Sequence, residues 1–170
     1  MRTCVVFILC LLSLTSIING AEIDKKKYQE LNLDVVKAMP EDYKNKKVFF
    51  ETIFVRYETT FLPYMEKSGY RAGKHYYIQV RPDNFPVMAE KDDLTNAIIP
   101  TLKAGSKVKV YGKVKKFSSA SEVGVLPLFH LEMDHIEVIE MGDGRIAEED
   151  EKDALTPRQK DVIRRWVLHR

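Results

Sequence analysis

Residues 105–116 carry the pattern that most restricts what this chain can fold into. Valines and lysines alternate along this segment, with Val108, Val110 and Val114 set against Lys107, Lys109, Lys113 and Lys115. Because successive side chains of a strand point to opposite faces, the valines can enter a core while the lysines face water or a ligand. Four further segments between residues 48 and 139 have strand character, so the sequence predicts a small five-stranded barrel.

The predicted elements follow one another as strand, strand, strand, helix, strand and strand. β-Branched and aromatic residues favour strands, and they are frequent at 47–57, 75–81, 85–90, 107–117 and 128–139. A helical stripe at 92–103 predicts the one helix of the barrel, and Pro100 should kink or break it. Residues 58–74 contain Pro63, Gly69 and Gly73 and are expected to form a long connection between the first two strands.

The first and last strands each carry a further prediction. The first is apolar at almost every position, so we expect the barrel interior to cover one face and the N-terminal helix the other. In the last strand the alternation that includes Leu131 and Met133 shifts by one position to Ile136. A shift of one residue moves side chains to the other face, and it therefore predicts a β-bulge near Asp134 and His135.

This order of elements, with its long first connection, is that of the OB-fold, a five-stranded Greek-key barrel. Two stretches resemble recurring sequences of OB domains of the tRNA-anticodon-binding type: Tyr43-x-x-Lys46-Lys47-Val48 before the first strand and Gly105-x-x-Val108-x-Val110-x-Gly112-x-Val114 in the fourth. The resemblance covers about residues 43–140. It implies ligand binding on the face of the second and third strands, but it does not name the ligand.

The first twenty residues have the layout of a secretory signal peptide. A positive start, Met1-Arg2, precedes a mostly apolar run from Cys4 to Ile18, and small residues follow it. The run is shorter than the roughly 20 residues that span a bilayer, so no stable membrane span is expected after cleavage, although an uncleaved anchor is the competing interpretation. The predicted location is therefore secreted or periplasmic.

Both cysteines of the chain, Cys4 and Cys10, lie inside this signal-like segment. A mature chain without them has no disulfide, no thiolate nucleophile and no cysteine-ligated metal or haem site. Its stability must come from its own core. About 150 mature residues are enough for one domain of this kind.

Helices are expected on both sides of the barrel. Residues 21–42 are predicted to form an N-terminal helical extension, with a helix over 24–39 that ends before Pro40. Residues 141–170 are predicted to be an acidic linker followed by a C-terminal amphipathic helix. Thr156-Pro157-Arg158-Gln159 has the cap, proline and capping-box glutamine of a helix start.

The charge of the chain is unevenly distributed along it. The net charge is only +2. Between residues 44 and 117, however, fifteen Lys and Arg stand against seven Asp and Glu, a balance of 15 − 7 = +8. Such a stretch is either a solvated surface or a face that attracts polyanions such as nucleic acid, lipid headgroups or acidic glycans.

The second strand and its flanks supply the candidate binding residues. Aromatic side chains, which can stack on bases or fill the barrel, alternate there with cations. We predict a ligand-binding face made of Arg71, Lys74, Tyr76 and Arg81. The other aromatic residues nearby, among them Tyr57, Phe61, Tyr64, Tyr70, Tyr77 and Phe85, are either part of this face or part of the core.

Catalytic and metal chemistry find little support in the sequence. No Ser-His-Asp signature, glycine-rich phosphate loop or His-Glu-x-x-His pattern is present. His130, Glu132, Asp134 and His135 could ligate zinc if a bulge brought them together, but a solvated strand explains them equally well. The sequence predicts no enzyme, no metal and no cofactor.

The sequence as a whole predicts an exported, non-catalytic OB-fold binding module. Its ligand is unknown, and an envelope protein or a polyanion is the expected kind of partner. The alternative is a nucleic-acid-binding OB-fold protein that uses the basic and aromatic face of its second and third strands.

Overall fold

The computed structural model describes residues 23–118 and 127–145. The predicted signal peptide and the predicted C-terminal helix lie outside the described residues. The elements in chain order are a 3-10 turn Lys25–Lys27, β1 Gln29–Glu30, α1 Leu33–Ala38, α2 Pro40–Tyr43, β2 Lys47–Glu58, α3 Pro63–Lys67, β3 His75–Val80, β4 Phe85–Glu90, α4 Asp93–Ile98, a 3-10 turn Ile99–Thr101, β5 Lys107–Lys116 and β6 Phe129–Glu140.

The five long strands close into a ring. β2 pairs with β3, β3 with β4, β4 with β6, β6 with β5, and β5 with β2 again. The β4–β6 pair is parallel and the other four pairs are antiparallel. This is the five-stranded OB-fold barrel that the sequence predicts, and β1 adds a short parallel strand to β2.

The valine and lysine ladder of β5 forms one wall of the core. Val108, Val110 and Val114 are buried, and the lysines between them are half-buried on the outer side. Burial of one valine side chain contributes about 1.5 kcal/mol or more to folding. The alternation therefore sets which face of β5 points inward, as predicted.

The predicted bulge in β6 is present. Tyr111 is paired with His135 and Gly112 with Met133, so that Asp134 is the extra residue between the two pairs. At this point the two strands approach closely, because a Cβ atom on Gly112 would overlap the carbonyl oxygen of Glu132. Only glycine fits the place where the bulged strand crosses β5.

Short helices close the barrel at the two ends of the β3–β4 hairpin. Leu33 of α1 belongs to the barrel core, and Lys37 of α1 forms an ion pair with Asp83 in the β3–β4 turn. At the opposite end, α4 starts from a capping box, and Ile99 and Leu102 that follow it are buried in the same core. The break predicted at Pro100 takes the form of a 3-10 turn.

The N-terminal segment differs from the predicted helix over 24–39. Gln29 and Glu30 are extended because their main chain pairs with Val48 and Phe49 of β2. A new helix starts behind Asn32, whose side chain accepts a hydrogen bond from the N–H of Asp34. The open edge of β2 thus outweighs local helix propensity. It offers unpaired main-chain groups to residues 29 and 30, whereas a short isolated helix is only marginally stable in water.

The N-terminal segment packs on the outside of the barrel through Tyr28, which follows the 3-10 turn, and not through the predicted helix. Tyr28 is buried, and its ring meets the ring of Tyr111 edge-on at a centroid distance of 5.5 Å. The Tyr28 hydroxyl donates to Asp134 at 2.7 Å, and Nζ of Lys47 donates to the same hydroxyl at 3.3 Å.

None of the helices in the described ranges has the length and apolar content needed to cross a lipid bilayer.

Candidate functional site

The structure separates the four residues of the predicted binding face into two groups. Arg71 and Lys74 are exposed just before β3, and Tyr76 is the second residue of that strand. Arg81 follows the other end of β3, roughly 20 Å from Lys74 at about 3.3 Å per residue. Three of the four residues therefore lie together, and their role in binding stays a prediction.

Tyr76 is largely engaged by its own protein. Its hydroxyl donates to the side-chain oxygen of Asn96 at 2.9 Å, and its ring meets that of Tyr57 edge-on at 5.8 Å. The ammonium group of Lys91 lies 4.9 Å from the centre of the ring. The Tyr76 side chain thus links β3 to α4 and contacts Lys91, which leaves little of its ring surface for stacking on a base.

The main chains of Arg71, Lys74 and Lys91 meet beside the start of β3 and form a corner, here called the basic corner. Main-chain hydrogen bonds hold it together: the N–H of Lys74 donates to Arg71 at 2.9 Å, and the N–H of Lys91 donates to Lys74 at 2.9 Å. Nζ of Lys91 also donates to the carbonyl of Ala72 at 2.6 Å. All three cations are exposed, and none forms an ion pair with a carboxylate within residues 23–118 and 127–145.

Three of the four lysines of the β5 ladder, by contrast, contact carboxylates. Lys107 and Lys109 both contact Glu51 of β2 at 3.1 Å, and Lys115 contacts Glu132 of β6 at 3.7 Å. The hydrogen bonds from the two lysines lower the pKa of Glu51. The excess of positive charge was counted over residues 44–117, which do not include β6. The acidic side chains of β6 offset part of that positive charge.

The centre of the β3–β4 outer face is covered by the chain itself. The predicted long connection from β2 to β3 contains a short helix, α3, that the sequence does not predict, and it brings a set of apolar side chains onto the strands. The resulting cluster, here called the outer cluster, consists of Phe61, Tyr64, Met65, Tyr70, Tyr77, Met88 and Phe117. These aromatic residues are buried, so of the two interpretations left open for them, core is the one observed.

A buried histidine completes the outer cluster. His130 of β6 is almost fully buried, its Nε2 lies 2.6 Å from the Tyr70 hydroxyl, and its ring stacks on Phe117 at 4.0 Å. Burial, with a smaller effect of Lys115, lowers the pKa of His130 to about 3. Strand alternation predicts that His130 points away from the barrel interior. In the sequence, only the many aromatic residues between 57 and 70 indicate that other side chains cover this outer face.

The four side chains considered as zinc ligands are engaged separately. His130 contacts Tyr70, Asp134 accepts from Tyr28, and Glu132 lies near Lys115. His135 lies 3.7 Å from Glu137, and burial lowers the pKa of its ring. Among the described residues, no three His, Cys, Asp or Glu side chains are placed to hold one metal ion.

Arg81 belongs to a different feature, a cavity of about 550 Å³ beside β2. Its lining consists of Glu30, Leu31, Asn32, Leu33, Asp34, Glu51, Thr52, Ile53, Arg81 and Pro82. The hydroxyl of Thr52 donates to the carbonyl of Arg81 at 2.5 Å and ties the wall of the cavity to β2. The cavity lies at the end of β3 opposite the basic corner.

The closed barrel defines the protein as an OB-fold protein. No protein-family model matches the chain, and no curated protein matches its sequence. Among solved structures, it is similar to an aspartyl-tRNA synthetase from Leishmania major Friedlin, with 12% identity, a TM-score of 0.51 and coverage of 76% of this chain and 24% of that one. The aspartyl-tRNA synthetase from Entamoeba histolytica matches with 12% identity, a TM-score of 0.51 and coverage of 72% and 23%. The chain spans about a quarter of these structures, and the likeness shows the fold alone.

Proposed function

We propose that the protein is a non-catalytic OB-fold module that binds single-stranded nucleic acid. The observation that carries this proposal is the basic corner, where Arg71, Lys74 and Lys91 expose cationic groups without carboxylate partners in the described ranges. Phosphate groups supply the affinity of most such interactions, and cations that are not already paired attract them best.

The similar solved structures support the same kind of ligand. Both are named as synthetases for tRNA, and the sequence around Tyr43 and Gly105 resembles OB domains of the tRNA-anticodon-binding type. The match is confined to about a quarter of each synthetase. What is proposed for this chain is therefore binding, without the reaction of the whole enzyme.

The geometry also predicts how such binding would work. The outer cluster fills the middle of the β3–β4 face, where other OB-folds stack bases on aromatic side chains. Contacts from the basic corner would reach phosphates at the edge of that face. We therefore expect weak sequence preference and a strong dependence on salt, because phosphate contacts release counterions.

Fluorescence anisotropy of labelled single-stranded RNA and DNA tests this proposal. Three phosphate contacts on a single strand predict a slope of about −2 for log K against log salt concentration. The double variant Arg71→Gln/Lys74→Gln should bind at least about tenfold more weakly and show a smaller slope. The double variant Lys107→Gln/Lys109→Gln removes the same charge from the paired ladder and should bind nearly as the wild type does. Equal losses in the two variants, or no binding at low salt, would contradict the proposal.

A second candidate function is an exported assembly module that binds a protein. The covered β3–β4 face and the paired β5 ladder favour it, because neither surface is prepared for a nucleic-acid strand. This second candidate function requires export, which is what the predicted signal peptide over residues 1–20 would direct. Cell fractionation with mass spectrometry of the N-terminus tests it: export with a start at residue 21 or 22, together with indifference to oligonucleotides, is the expected result. A protein retained in the cytoplasm with its first residues intact would exclude it.

A further inference from the structure

The edge of β2 that faces away from β5 is filled by two separate strands with a gap between them. On one side of the gap, the N–H of Leu31, just after β1, donates to the carbonyl of Phe49 at 3.0 Å. On the other side, the N–H of Arg81, just after β3, donates to the carbonyl of Ile53 at 2.9 Å. The 550 Å³ cavity occupies the space between these two hydrogen bonds.

The main chain of Glu51 faces this gap. In an antiparallel ladder, the N–H and C=O groups of every second residue point to the same edge of a strand. The carbonyls of Phe49 and Ile53 both point away from β5, and Glu51 lies midway between them. Its N–H and C=O therefore point into the cavity, as one open position of a sheet edge about 14 Å long.

The walls of the gap suit an extended segment with a positive charge. Leu31 and Ile53 are half-buried and offer apolar contact. Glu30 and Asp34 are exposed and line the cavity, and their two negative charges exceed the positive charge of Arg81, which also lines it. The carboxylate of Glu51 is not part of this attraction, because it is held on the outer face by Lys107 and Lys109.

We propose that this gap is a docking site for a short extended peptide that carries lysine or arginine. The peptide would add to β2 between β1 and β3, exchanging main-chain hydrogen bonds with Glu51 while its cation approaches Glu30 or Asp34. An open strand edge is a template for this kind of addition, in which main-chain bonds give affinity and side-chain contacts give specificity. The site does not depend on nucleic-acid binding, since the basic corner lies at the other end of β3.

Two-dimensional NMR of the full chain with the capped peptide acetyl-Val-Lys-Val-Lys-Val-amide tests the site. Saturable shifts are expected for the amides of Leu31, Glu51 and Ile53, with a Kd of about 0.1–1 mM, the range of a short and weakly held segment. Hydrogen exchange of the Glu51 amide should slow as the peptide saturates. Absence of saturable shifts at millimolar peptide, or shifts confined to another surface, would overturn the proposal.

Two matched controls separate strand addition from nonspecific charge attraction. The same peptide with an N-methyl group on its central residue keeps its charge but loses a main-chain donor, and it should bind at least about tenfold more weakly. The exposed variant Glu30→Lys should weaken binding about fivefold or more, while Glu140→Lys at the end of β6 should leave it unchanged. Equal binding of the methylated peptide, or equal effects of the two variants, would also overturn the proposal.

Discussion

The Tyr70 hydroxyl lies 2.6 Å from Nε2 of His130, although 60 positions of sequence separate the two residues. The contact joins the connection after β2 to β6 across the outer cluster. Ser68 and Ser118 add a second link at 3.1 Å between their hydroxyl oxygens. The long connection between β2 and β3 is thus fixed to the barrel by polar and aromatic contacts together.

The buried histidine predicts a loss of stability in acid. An unfolded histidine binds a proton below pH 6.5, whereas folded His130 stays neutral down to about pH 3. Between these values protonation favours the unfolded chain, so this one residue should lower the free energy of unfolding by about 1.4 kcal/mol per pH unit. Urea unfolding at pH 7, 5 and 4 should show that the free energy of unfolding of His130→Gln depends less steeply on pH than that of the wild type, by the uptake of about one proton.

Tyr70→Phe is the control for this experiment. It removes the hydroxyl while leaving His130 buried, so it should lower stability by about 1 kcal/mol at every pH and keep the wild-type slope. A His130→Gln variant with an unchanged slope would show that His130 is not the group responsible.

The β5 ladder predicts a contrast between neighbouring positions of one strand. Val110 is 1% exposed in the core. Val110→Ala should lower the free energy of unfolding by about 2 kcal/mol through lost apolar burial and the cavity left behind. Lys113→Ala, on the outer side, should change it by less than about 0.5 kcal/mol. Chemical unfolding of both variants measures the contrast, and similar losses would contradict this orientation of β5.

The crossing of β5 and β6 predicts that Gly112 is sensitive to any added side chain. A Cβ at Gly112 would meet the main chain of Glu132, which cannot move without disturbing the bulge. Gly112→Ala should therefore lower the free energy of unfolding by about 2 kcal/mol or more. Gly73→Ala is the matched control, since nothing lies within 4 Å of a Cβ there. Thermal unfolding that shows no difference between the two variants would contradict the close approach.

The contact between Tyr28 and Asp134 predicts that the N-terminal segment is energetically coupled to the bulge. The Tyr28 hydroxyl donates to Asp134 at 2.7 Å. A double-mutant cycle of Tyr28→Phe and Asp134→Ala should give a coupling of about 1 kcal/mol in urea unfolding. Burial and the hydrogen bond to Asp134 also raise the pKa of Tyr28, so an absorbance titration should find its ionisation above the ordinary range for tyrosine. A coupling near zero would mean that the segment is held by apolar contact alone.

The barrel itself was predictable because its information is local. The alternation of Val108, Val110 and Val114 with lysines, and the shift of parity after Met133, each depend on residues one or two positions apart. A strand places such neighbours on opposite faces whatever the rest of the chain does. The strands, their inward faces and the bulge at Asp134 therefore follow from the order of residues.

The candidate site was predicted only in part, because it depends on which distant segments meet. Arg71, Lys74 and Tyr76 are close in sequence and stay together, while Arg81 lies at the other end of the same strand. Lys91 joined the basic corner only through its pairing beside Lys74.

The amino-acid sequence by itself determined the barrel, the inward direction of its apolar side chains and the bulge in β6. The tertiary structure alone decided which surfaces stay available. It covered the β3–β4 face with the outer cluster, and it paired the β5 lysines with acids from β2 and β6. The physical reason is that burial and charge pairing depend on distances in space, and in a closed barrel those distances are set by strand pairing between residues far apart in the chain.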